Sequence, residues 1–310
     1  MNAHAQPGSP PEQHPVLAMT LMLAAMLILP GIDAIAKWLS DAIPSGQIAW
    51  SRFLFQTVLM LPLFLHTRGP ARARSLPLHA LRGALIALAT LLFFTALKFL
   101  PLADAISIFF VEPLILTLLS ALFLAEPVGR RRLTAVAVGF AGALIVIRPS
   151  FVELGLPALL PLGAALSFAV YLMLTRSLAQ HEQPERMQFY AGVFGGIVMT
   201  VALVIGEIAG VGVLSYVPPD LDQWLLLAGL GVIATVGHLL VVHAFRRAPA
   251  GLLAPFQYVE IVGATILGLV FFGDFPDATT WIGVAIIVGS GLYVFHREAV
   301  ISRRERLSGG

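Results

Sequence analysis

Ten apolar runs, most of them about 18–24 residues long, dictate what this chain can fold into. Hydrocarbon offers the backbone no hydrogen-bond partners, so a run of this length crosses a ~30 Å apolar layer as a helix that satisfies itself. The runs lie at 16–39, 45–65, 76–99, 102–124, 133–147, 156–178, 187–206, 221–245, 250–272 and 279–295. The segments between them are too short to hold a soluble domain. Charged residues make up 12% of the chain, against about 25% in soluble domains. There is no cysteine, which excludes disulfides and thiolate metal sites. The fold class expected is therefore an all-α membrane protein of ten transmembrane helices.

The basic residues segregate between alternate connections. Fourteen lie on the side of the N-terminus, among them Arg68, Arg72, Arg74, Arg130, Arg131, Arg132, Arg246 and Arg247; three, Lys37, Lys98 and Arg148, lie on the other. Such a bias places both termini in the cytoplasm. Residues 1–15 are polar and proline-rich, without the basic start and cleavage site of a signal peptide, and are expected to be disordered. Residues 298–310 are read as a cytoplasmic tail.

The chain also matches itself. Sliding 96–148 by 148 residues lays it on 244–296 without a gap, with 11 identities in 53 positions. Val111 and Glu112 meet Val259 and Glu260, Pro101 meets Pro249, and Thr117 meets Thr265. The shift skips five spans. Five is odd, so the second copy runs through the membrane upside down relative to the first. Residues 16–148 are read as one five-helix repeat and 149–297 as its inverted copy. Two inverted halves that rock against each other supply alternating access.

Several motifs carry a family resemblance. Ala96-Leu97-Lys98-Phe99-Leu100-Pro101, and Ala244-Phe245-Arg246-Arg247-Ala248-Pro249 in the second copy, resemble the third-to-fourth helix junction of the drug/metabolite transporter superfamily, EamA type. Leu124-Ala125-Glu126-Pro127 followed by Gly139-Phe140-Ala141-Gly142 is similar to that domain's closing signature, and Gly273-Asp274 with Trp281-Ile282-Gly283 and Gly289 to its second copy. Trp50-Ser51-Arg52-Phe53 is similar to its second-helix pattern. The resemblance covers about 16–297. It implies ten helices in two inverted halves and export of small metabolites; the unequal halves look most like bacterial amino-acid exporters of the aromatic amino acid/paraquat group. The second copy departs from the first at Ile261, where the first has Pro113, and at Phe275-Pro276 against Pro127-Val128.

Polar residues inside apolar runs are the candidate site. Glu112 and Glu260 stand near the middle of spans four and nine. Pro113 lacks an amide hydrogen and clashes with the carbonyl of Phe109, so span four should loosen beside Glu112. Gln257 shares a helical face with Glu260, and Tyr258 flanks it. His238 in span eight is a candidate proton or substrate contact, and Tyr171 in span six a candidate cavity lining. Gly163, Ser167 and Thr175 form a polar stripe with Tyr171 that also reads as ordinary small-residue packing. Phe109 offers apolar contact. Asp33 and Arg52 fall at similar depth and form a possible gate pair, with Pro30-Gly31 bending span one nearby. His79 and Arg82 open span three and are expected to snorkel to the interface. Ala135, Gly139 and Ala143 in span five, and Ala285 with Gly289 in span ten, are expected to bring those helices together or to pair two chains.

No nucleotide-binding loop, dinucleotide fingerprint or Cys/His/Asp cluster is present. Neither enzyme chemistry nor a metal, a cofactor or nucleic acid is expected. The function expected is export of amino acids or similar small zwitterions, by a monomer or weak homodimer surrounded by lipid. Two other readings compete: an exporter of lipophilic cations, and a membrane scaffold or enzyme without transport.

Overall fold

The computed structural model describes residues 15–67, 76–123, 130–179, 182–245, 247 and 256–308. The N-terminal expectation falls on residues outside this set, apart from Pro15. The described residues are helical almost throughout. In chain order the α-helices are α1 (Pro15–Ile28), α2 (Pro30–Leu39), α3 (Ser45–His66), α4 (Leu76–Leu97), α5 (Leu102–Phe109), α6 (Glu112–Phe123), α7 (Arg130–Leu154), α8 (Leu160–Ala179), α9 (Pro184–Ala209), α10 (Leu221–Phe245), α11 (Val259–Leu267) and α12 (Ala278–Ser308). Among the described residues, six segments are long and apolar enough to cross a membrane: Val16–Leu39, Ser45–His66, Leu76–Leu97, Leu156–Thr175, Pro184–Ala209 and Leu221–Ala244. Three shorter apolar helices join them, at Leu133–Ile147, Val259–Phe272 and Ala278–Tyr293. The helix that ends the chain is continuous through Ser308, so the expected tail extends that helix. Its start is capped: the Thr280 amide donates to Asp277 Oδ1 at 2.7 Å. That bond holds the Asp277 carboxyl below the usual aspartate range.

Three apolar segments are broken at informative places. The first breaks at Leu29, because Pro30 has no amide hydrogen for the Met26 carbonyl. Gly263 packs there: a Cβ on it would come within 2.9 Å of the Pro30 ring. The second break, at Phe110 and Val111, separates α5 from α6 just ahead of Glu112-Pro113, where the proline predicts it. The third falls at Tyr258, directly before α11. Tyr258 is the residue that the 148-residue shift lays on Phe110, yet no proline follows it. The two break residues touch, with ring centroids 5.4 Å apart.

Helix partners come in couples related by a shift of five spans. The pairs α3 with α9 and α7 with α12 each map onto themselves. The pair α4 with α8 is matched by α10 with α1, α4 with α9 by α10 with α3, and α6 with α8 by α11 with α1. Between α7 and α12 the backbones meet at Gly142 and Gly283; a Cβ on Gly283 would lie 2.8 Å from the Gly142 carbonyl oxygen. This corrects part of the small-residue expectation. Gly139 does face α12, at Ser290, but Ala285 and Gly289 are exposed, and α12 approaches through Gly283, Ile286 and Ser290. Span ten holds two small-residue faces, and the sequence does not say which one α7 takes.

Candidate functional site

The broken helices and α3, α8 and α10 bring five ionisable groups into one electrostatic network. Arg52 on α3 interacts with Asp33 on α2, with Tyr171 on α8 and with His238 on α10. Glu260, in the first turn of α11, interacts with Asp33. Arg52 and Tyr171 are buried, and Asp33, His238 and Glu260 are half-buried. Asp33 and Arg52 attract each other without an ion pair at contact distance among the described residues. Arg52 donates instead to Thr90 Oγ1 on α4, stacks over the Phe53 ring at 5.2 Å, and keeps its Nε without a hydrogen-bond partner. His238 Nδ1 donates to the Ala234 carbonyl oxygen at 2.8 Å, so the lone-pair nitrogen of the neutral imidazole is Nε2.

The charge balance of this network is lopsided. Asp33 lies between two groups, the Arg52 guanidinium and the Glu260 carboxyl, so two acids stand near one cation. In a low-dielectric interior a carboxylate without a counter-cation is costly. A proton or a substrate ammonium supplies the missing positive charge, so the arrangement suits binding of an amine or exchange of a proton.

The structure places Glu112 elsewhere. It is buried in the first turn of α6 and interacts with Tyr258, whose hydroxyl abuts Gly291 of α12 and has no hydrogen-bond partner among the described residues. The two glutamates thus have different neighbours. Span one supplies Asp33 to Glu260, whereas span six contains no acid to offer Glu112. Gln257 is half-buried on the turn before α11. Phe109 stands in an aromatic ladder: Phe93 lies 5.3 Å from Phe109, Phe109 lies 5.5 Å from Phe168, and Phe168 lies 5.5 Å from Tyr171. Ser167 donates to the Gly163 carbonyl oxygen within its own helix at 2.9 Å, the packing reading of that pair.

His79 and Arg82 overturn the snorkelling expectation. They are 0% and 1% exposed. Arg82 Nε donates to Thr175 Oγ1 at 3.0 Å, Nη1 to His79 Nδ1 at 3.2 Å, and Nη2 to the Tyr171 hydroxyl at 3.4 Å. His79 Nε2 in turn donates to Glu182 at 2.7 Å. An arginine one turn into a helix reaches either the interface or a neighbour; here α8 and the segment before α9 bury it. The only hint in the sequence was Tyr171 and Thr175 one turn apart on span six.

The opposite end of the bundle is tied by Lys37. Its ammonium donates to Asp274 Oδ2 at 2.8 Å and to the Leu100 carbonyl oxygen at 2.9 Å, and it lies 5.1 Å from the centre of the Phe272 ring. One side chain thereby joins α2, the turn after α4 and the segment before α12. Lys37→Met is expected to loosen this end. A cysteine placed by Ala103→Cys, a buried position in α5, should then be labelled about three- to tenfold faster, the effect of losing ~1 kcal/mol of charge-assisted bonding. An unchanged labelling rate would show that the lysine does not hold this end closed.

The EamA-like transporter family matches this chain twice, at residues 16–148 and 155–295. A riboflavin transporter of Vibrio cholerae is 30% identical over 95% of this chain and 98% of its own length. An S-adenosylmethionine uptake transporter of Rickettsia bellii is 27% identical over 86% of this chain and 89% of its own. The pseudopaline exporter CntI of Pseudomonas aeruginosa is 29% identical over 83% and 88%. A crystal structure of 20% identity superposes over 90% of this chain and 98% of its own, with a TM-score of 0.61, a likeness of fold alone.

Proposed function

The chain belongs to the EamA-like transporter family, and from that premise we propose that it carries small zwitterionic metabolites across the bacterial inner membrane by alternating access. The observation that carries the substrate class is the shortage of positive charge around Asp33 and Glu260. A substrate ammonium fills it, and Arg52 and His238 stand ready for the polar remainder. The aromatic ladder from Phe93 to Tyr171 favours a substrate with a flat ring beside its amino-acid-like head. The named relatives handle riboflavin, S-adenosylmethionine and pseudopaline, which extends the expected class beyond single amino acids.

Ten spans in two inverted five-helix halves, with both termini cytoplasmic, form the frame of this reading. The coupled helix partners and the aligned breaks at Phe110 and Tyr258 support it. In this frame the Lys37–Asp274 tie closes the periplasmic end, and the His79–Glu182 contact lies at the cytoplasmic end. Because the chain has no cysteine, single-cysteine labelling reads the frame directly. An impermeant maleimide should modify the Asp277→Cys variant in intact cells and the Arg130→Cys variant only after permeabilisation. Modification of both from the same side would end the inverted-repeat reading.

Counterflow in proteoliposomes tests the substrate class. Vesicles preloaded with phenylalanine or S-adenosylmethionine should accumulate the labelled compound, and amino acids should compete better than a quaternary ammonium such as tetraethylammonium. Stronger competition by the quaternary ammonium would shift the assignment to lipophilic cations. Absence of counterflow with amino acids, S-adenosylmethionine and riboflavin alike would favour a protein without transport activity.

A further inference from the structure

Arg82 is a fully buried cation whose hydrogen-bond partners are all neutral: Thr175, His79 and Tyr171. The acid of its cluster, Glu182, accepts from the imidazole of His79. A buried guanidinium is ordinarily matched by an anion in contact. Its bond to the Tyr171 hydroxyl, at 3.4 Å, is the longest of the three, and the guanidinium lies over that ring at 5.1 Å. The contact a ligand would most easily displace therefore points along the aromatic ladder.

The ladder leads to the other buried arginine. His79, Arg82, Ile86, Thr90 and Phe93 recur at helical spacing and are all buried, so they line one face of α4. Thr90 is the partner of Arg52, and Phe93, one turn further on, is the first ring of the ladder whose last ring is Tyr171. Arg82 and Thr90 are eight residues apart, roughly 12 Å along a helix at 1.5 Å per residue. One end of this strip thus holds Arg52 with its unpartnered Nε beside the acid pair, the middle is aromatic, and the other end holds a cation with no acid in contact among the described residues.

We propose that Arg82 is the anion anchor of a two-ended binding site, and that the transported class is an elongated zwitterion whose ammonium meets Asp33 and Glu260 while a carboxylate or phosphate meets Arg82 across a flat apolar middle, the rise from Arg82 to Thr90, roughly 12 Å, setting the order of its length. The proposal rests on the transporter reading and narrows it: a lone amino acid, with both charges on one carbon, fills only one end. Arg82 acts as a specificity residue that measures length.

The test uses the whole purified protein and three defined probes in a thermal-stabilisation titration. 4′-(Aminomethyl)biphenyl-4-carboxylate carries its charges about 11 Å apart. Its carboxamide lacks the anion, and 4-(aminomethyl)benzoate is one ring shorter. Wild-type protein should bind the biphenyl acid about ten- to hundredfold more tightly than either the amide or the short acid, the usual range for a charge-assisted bond. In Arg82→Gln the acid and the amide should bind alike, and Arg82→Lys should restore part of the preference. Equal binding of acid and amide by the wild type, or binding of neither, overturns the proposal, and this comparison needs no variant to fold. Persistence of the preference in Arg82→Gln overturns it as well. Counterflow of S-adenosylmethionine or phenylalanine that continues in either case leaves the transporter reading standing while the ruler falls.

Discussion

Glu260→Gln is expected to lower the rate of counterflow by about ten- to hundredfold while leaving the protein folded. The substitution keeps the size and hydrogen-bonding reach of the side chain and removes its charge. A charge-assisted bond in such a site contributes about 1.5–3 kcal/mol, and each 1.4 kcal/mol is a factor of ten. Glu260 shares its surroundings with Asp33 and, through it, with Arg52, so without it one acid faces one guanidinium and the site no longer lacks a cation. The substrate ammonium loses its reason to enter. Glu112→Gln is also expected to slow transport. The smaller effect is expected there, because Glu112 faces Tyr258 and is not part of the Arg52 network. Wild-type flux in both variants would remove the carboxylates from the site. Flux in Glu260→Gln that no longer responds to an imposed pH gradient, where the wild type does respond, would identify this carboxyl as the proton carrier.

Gly283→Leu should destabilise the protein by about 3 kcal/mol or more, whereas Gly289→Leu, two turns along the same helix, should be neutral or slightly stabilising. At Gly283 a Cβ alone would run into Val146 Cγ2 and lie 2.8 Å from the Gly142 carbonyl oxygen. Backbone oxygen cannot step aside as a side-chain tip can, so α7 and α12 must separate. Overpacking of this kind costs about 1–3 kcal/mol per site, and the separation also opens the contact of Gly139 with Leu114 and Ser290. At Gly289 nothing lies within 4 Å, and replacing glycine in a helix gains up to about 1 kcal/mol. Thermal denaturation of the two variants in the same detergent measures the difference. Equal melting temperatures would mean that the seam between α7 and α12 is not formed through Gly283.

Much of this architecture was legible before any coordinates, for a reason specific to membranes. Where hydrocarbon is the solvent, a long apolar run has no alternative to helix, so class and element type follow from length and composition. The break beside Glu112 was legible because proline removes a hydrogen bond wherever it stands. The break at Tyr258 was not, because no residue there forbids a helix; it is seen only in the packing, where the Tyr258 hydroxyl lies against Gly291 of α12.

Asp33, Arg52, Glu112, His238 and Glu260 stand inside apolar runs whatever the fold, so the order of residues already says which groups are costly to bury. How those charges are matched is set by the packing of the helices. Lys37 is four residues from Asp33 yet bonds Asp274, 237 residues away. Arg82 sits near a helix end, where arginines usually reach water, yet α8 seals it in. Charge partners are set by which helices become neighbours, and that depends on close backbone approaches such as Gly142 on Gly283, which no local pattern records.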